Sequence, residues 1–99
     1  MRVVISMKAR SDLLELDDKV RSEDPRTADW LMGRLLDGIE MLAEHPRLGP
    51  LARGPSLKKQ GVRALAREGF VIFYRPVGRG LRVMRVLRGQ RHWRHVFAE

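Results

Sequence analysis

The run Arg2–Ser6 (RVVIS) has the length and β-branched character of a strand, yet nothing strand-like follows it until Val62. A lone strand leaves its backbone N–H and C=O groups without partners, so this one must join a sheet built from the far end of the chain. Whatever lies between has to pack against that sheet.

What lies between reads as two helices. Ser6 is placed to cap the first, which runs to about Ser22 with Ala9, Leu13, Leu16 and Val20 on one apolar stripe. Asp12, Glu15 and Asp18 are directed elsewhere. Asp24-Pro25 starts the second cleanly, an Asp N-cap with proline at the first helical position. Its stripe is Ala28, Leu31, Leu35, Ile39 and Leu42, widened by Met32 and Leu36, and His45-Pro46 ends it. The short Ser22–Asp24 connection makes the pair an antiparallel hairpin.

Residues 47–61 (RLGPLARGPSLKKQG) hold three Gly, two Pro and four basic residues and read as an exposed basic loop. Three strands follow at Val62–Ala66, Phe70–Arg75 and Leu81–Leu87, joined by a turn at Glu68-Gly69 and a hairpin connection over 76–80. FVIFYR (70–75) is apolar on both faces, as a central strand covered on each side requires. The order is βααβββ: a single α+β domain over 1–99, its helical hairpin on one face of a small, mostly antiparallel sheet.

Charge is segregated along the chain. Residues 1–45 carry seven basic and ten acidic side chains, net −3, whereas residues 46–99 carry thirteen basic and two acidic, net +11. Such a chain presents its second half to something anionic, be it nucleic acid, an acidic protein or a membrane surface. The absence of cysteine excludes disulfides and thiolate metal sites. No run approaches the roughly 18–20 apolar residues of a membrane span, and MRVVISMKAR lacks a signal peptide's apolar core. The expectation is a soluble cytoplasmic protein.

The segments LAEHPRLG (42–49), GVRAL (61–65), FVIFYR (70–75) and RVLRGQRHW (85–93), in that order and spacing, resemble the ParE/RelE superfamily of bacterial toxins. The resemblance covers nearly the whole chain and agrees with the βααβββ order. It implies a type II toxin encoded beside an antitoxin that wraps and neutralises it, with operator DNA reached only through the antitoxin. RelE-like members cleave mRNA in the ribosomal decoding site without a metal; ParE-like members lack the nuclease residues and poison DNA gyrase. The sequence departs from the superfamily pattern twice. Arg88 stands where a histidine is usual, and His92 stands where an acidic residue often precedes tryptophan.

Metal-free RNA cleavage needs a general base, a general acid and cations for the phosphorane. Lys58, Lys59, Arg63 and Arg85 could hold phosphate, and His92 or His95 could transfer a proton. The tyrosine that RelE-like enzymes commonly carry after the last strand is missing; Trp93 and Phe97 occupy that segment. The favoured expectation is therefore ParE-like: gyrase inhibition by binding, with Arg85, Arg88, Arg91 and Trp93 as target contacts and the mRNA interferase as the alternative. The acidic antitoxin would thread an amphipathic segment over the helices and sheet. Trp30, Met41, Arg63 and Arg82 are candidate contacts for it; Trp30 and Met41 read equally well as peripheral core. His92 and His95 make a poor metal site without Cys or a nearby carboxylate, so neither metal nor cofactor is implied. Tyr74, the single tyrosine, reads as a core residue with its hydroxyl at the edge. Gly78 and Gly80 flank Arg79 in a hairpin turn with no following helix, which is not a phosphate loop.

Overall fold

The computed structural model describes residues 2–89. Strand β1 (Val3–Ile5) leads into α1 (Met7–Glu23) and α2 (Pro25–Glu44). A short helix, α3 (Pro55–Lys59), precedes β2 (Arg63–Arg67), β3 (Phe70–Val77) and β4 (Gly80–Arg88). The sheet order is β1-β4-β3-β2. The last three strands form an antiparallel meander, and β1 returns parallel to β4, with Val4 opposite Arg82. The isolated N-terminal strand thus finds its partner at the end of the chain.

Both helix caps form where the sequence places them. The Ala9 amide donates to Ser6 Oγ at 3.1 Å. Asp24 accepts from the Arg26 amide at 3.1 Å and the Thr27 hydroxyl at 2.9 Å, while its own amide closes the last turn of α1 on Val20. One residue therefore ends the first helix and starts the second, leaving no room for a longer connection. These hydrogen bonds, Thr27 first, hold the Asp24 carboxyl below its usual range.

Ala28, Leu31, Leu35, Ile39 and Leu42 of the α2 stripe are buried, the last four packed on Phe70, Ile72, Tyr74, Leu81, Val83 and Val86 of the sheet. Of the two residues read as widening the stripe, Met32 is half-buried and Leu36 stands 48% exposed. The α1 stripe is shallower, with Ala9 buried and Leu13, Leu16 and Val20 half-buried at its margin.

The connecting segment departs from the exposed loop read from sequence. Ala52, Leu57 and Val62 are buried against Phe73 on the other side of the sheet, with Val71, Met84 and Leu87 packed around them. Proline at the first turn lets α3 begin, and its single apolar residue, Leu57, closes that side; burying a leucine stabilises by roughly 1.5–3 kcal/mol. This explains why β3 is apolar on both faces: Ile72 and Tyr74 face the helices, and Phe73 faces α3.

The β3–β4 hairpin is tighter than the sequence suggested. Val77 pairs with Gly80, so only Gly78 and Arg79 turn, with Gly78 at φ 58°. Pro76 is tolerated inside β3 because β2 stops pairing at Tyr74, which makes this end of the strand a local edge. In the β2–β3 turn Glu68 and Gly69 both have positive φ, as the tightest hairpin turns require.

Candidate functional site

Charge segregates by layer in the folded protein. Among the described residues the four strands contain six arginines and neither Asp nor Glu, whereas the acidic residues of the first half lie on α1, α2 and their shared cap. Which strand arginines are available for a partner depends on what each already touches.

Arg85 is committed. A bulge between Phe73 and Tyr74 leaves Phe73 opposite Arg85 and Tyr74 opposite Val83, with Met84 as the extra residue. The Arg85 side chain then reaches α1, donating from Nε to Asp12 Oδ2 at 2.8 Å and from Nη2 to Asp12 Oδ1 at 2.9 Å. The Val86 amide donates to the same carboxylate at 3.0 Å. The two side chains are 19% and 10% exposed, so the pair is largely screened from water. The Asp12 hydrogen bonds raise the Arg85 pKa further, against the opposing effect of burial. Asp12 therefore faces the sheet and not away from it as the α1 stripe suggests; its place three residues after buried Ala9 is the sequence signal for this orientation.

Ser6 acts beside it. Its amide donates to Val83 O and its hydroxyl to Met84 O, at 3.0 and 2.9 Å. Where β1 ends, the side chains of Ser6 and Asp12 continue to satisfy the exposed backbone of β4.

A second junction joins three of the sequence motifs. The Gly49 amide donates to the Tyr74 hydroxyl at 2.9 Å, and the Gly49 carbonyl accepts from Arg63 Nη1 at 2.8 Å. A Cβ at position 49 would lie 2.7 Å from the Ala64 carbonyl oxygen, so only glycine fits. Burial pushes the Tyr74 phenol above its usual range, although the Gly49 hydrogen bond and the Arg63 charge pull it down. A buried neutral phenol held this way is a structural post. Proton transfer at neutral pH is not a task it is placed for.

The cations of the nuclease reading are not gathered at one point. Arg63 pairs across the ladder with Tyr74 on the helix side of the sheet, and Arg85 is tied to α1. Lys58 and Lys59 stand exposed in the last turn of α3 on the opposite side. Arg67 donates from Nε to the Arg34 carbonyl at 2.6 Å, fixing β2 to α2. Arg88 is exposed over the Phe70 ring, 5.1 Å from its centroid. It borders a shallow cleft of about 210 Å³ between α1 and the end of β4. Arg82 is exposed on the sheet face away from the helices. Of the candidate antitoxin contacts on α2, Trp30 is 55% exposed and Met41 half-buried. Arg91, His92, Trp93 and His95 lie outside the described residues.

No group of three or more His, Cys, Asp or Glu suited to a metal occurs among the described residues. No helix among them is long and apolar enough to cross a membrane.

Comparison with known proteins gives a consistent result. A family model described as the ParE toxin of the type II toxin–antitoxin system, parDE, matches residues 3–93. No curated protein matches the sequence significantly. Among solved structures, a chain from the chromosomal ParDE TA system of P. aeruginosa aligns with a TM-score of 0.74 at 22% identity. The alignment covers 91% of this chain and 97% of that one, which shows a common fold.

Proposed function

Because the chain belongs to the ParE toxin family of type II toxin–antitoxin systems, we propose that it inhibits DNA gyrase by binding and is held inactive by an acidic antitoxin in the cytoplasm. The observation that carries this reading is the division of the arginines. Arg63, Arg67 and Arg85 are spent on internal acceptors, and Tyr74 is a buried post, which supports a binding surface over a proton-transfer site. Arg88 extends from the strand end that Asp12 fixes, and together with Arg91 and Trp93 it makes the proposed target contact. Arg85 serves that contact by positioning the strand end. Operator DNA is reached through the antitoxin.

The test is a supercoiling assay with purified protein. Inhibition that is lost in Arg88→Glu and relieved by antitoxin is the expected result; full supercoiling at saturating protein overturns the proposal. Primer extension on translated mRNA reads the alternative. Cleavage that depends on His92 and His95 would make the protein an mRNA interferase.

A further inference from the structure

The sheet face away from the helices is only half covered. Under α3 it is closed by Leu57 and its neighbours, but towards β1 and the β3–β4 turn it lies open. There a cleft of about 440 Å³ is floored by Val4 and Val77 and rimmed by Arg2, Arg79 and Arg82. Both valines are nearly half exposed, at 44% and 48%.

Arg75 and Arg82 sit directly opposite each other on β3 and β4, a like-charge cross-strand pair that destabilises a sheet. Arg75 Nε is buried without a hydrogen-bond partner among the described residues. No acidic side chain pairs with Arg2, Arg75, Arg79 or Arg82 among those residues, and none occurs on any strand. The fold therefore concentrates guanidinium groups around an aliphatic floor and leaves them for an external anion.

We infer that this cleft binds an extended acidic peptide segment, an aliphatic side chain seated on Val4 and Val77 and flanking carboxylates paired with Arg79 and Arg82. Guanidinium forks match carboxylates in bidentate geometry. The aliphatic floor offers no aromatic ring on which a nucleic-acid base could stack. Among the described residues the short strand β1 has a partner only in β4, so an extended segment can lie along its outer edge. Naming the antitoxin as owner of the segment rests on the toxin reading above; the peptide chemistry does not.

The test measures fluorescence anisotropy of three labelled probes with the whole protein. They are a short peptide of alternating glutamate and valine, a lysine–valine peptide of equal length, and a thymidylate oligonucleotide of similar charge. Arg79→Glu with Arg82→Glu should weaken the acidic peptide by about a hundredfold, roughly tenfold per guanidinium. Arg79→Gln with Arg82→Gln should weaken it less. Lys58→Glu with Lys59→Glu, the same charge change on α3, should leave it bound, and circular dichroism confirms that each variant is folded.

Equal loss in the Lys58/Lys59 variant would reduce the effect to net charge and overturn the proposal. So would tighter binding of thymidylate at the same arginines, or no binding of the acidic peptide. Neither gyrase nor antitoxin enters the assay, so its failure is distinguishable from failure of the toxin reading.

Discussion

The Asp12 carboxylate on α1 accepts three hydrogen bonds from two successive residues of β4, two from the Arg85 guanidinium and one from the Val86 amide. It takes over where β1 leaves the sheet. The contact fastens the helical layer to the strand that leads into the basic C-terminal segment.

Asp12→Ala strands a largely buried guanidinium and a backbone amide together. Breaking such a pair should cost about 2–4 kcal/mol, read as a lower urea midpoint. Asp12→Asn keeps an acceptor for Val86 and should lose less. If the strand end presents the target contact, Asp12→Asn should weaken gyrase inhibition while the fold persists. Equal midpoints for wild type and Asp12→Ala would refute the structural role.

Gly49→Ala puts a methyl group against the Ala64 carbonyl and the Tyr74 hydroxyl. The backbone must shift, at an expected cost of about 1–3 kcal/mol. Thermal unfolding checks this, and an unchanged midpoint would mean that the junction yields freely.

Tyr74 is the single tyrosine, so phenolate absorbance titrates one group. Its pKa is raised in the folded state, so the fold binds the phenolic proton more tightly than the unfolded chain does. The resulting stability is fully present below the ordinary value of 10.0 and is lost as pH rises through the folded pKa. The native titration should therefore lie above that of the urea-unfolded chain. Coincident curves would contradict the burial of the hydroxyl.

Leu57→Ala opens the side of the sheet covered by α3 and should destabilise by about 2–3 kcal/mol, again read from the urea midpoint. Lys58→Ala, one residue on and exposed, should stay within about 0.5 kcal/mol. Similar effects for the two would mean that α3 does not pack as described.

Much of this architecture was legible from local signals. The Ser6 and Asp24 caps, the α2 stripe and the Glu68-Gly69 turn each depend on residues only a few positions apart. The βααβββ order follows from them. The orphan β1 implied a return to the later sheet, but its pairing with β4, with Val4 opposite Arg82, needed the assembled topology. Residues 47–61 misled because Gly, Pro and Lys dominate their composition, while Ala52 and Leu57 gain meaning only against Phe73.

The candidate site was less legible for the same reason. The sequence by itself determined that the second half of the chain is rich in arginine and that its strands carry no acid. Only the tertiary structure decided which arginines are spent internally, at Arg63, Arg67 and Arg85, and which stand open at Arg2, Arg79 and Arg82. That division depends on a bulge, on strand register and on a carboxylate 73 positions from its guanidinium. Local periodicity specifies the face of a helix or strand, but an ion pair exists only once two distant elements have been packed together.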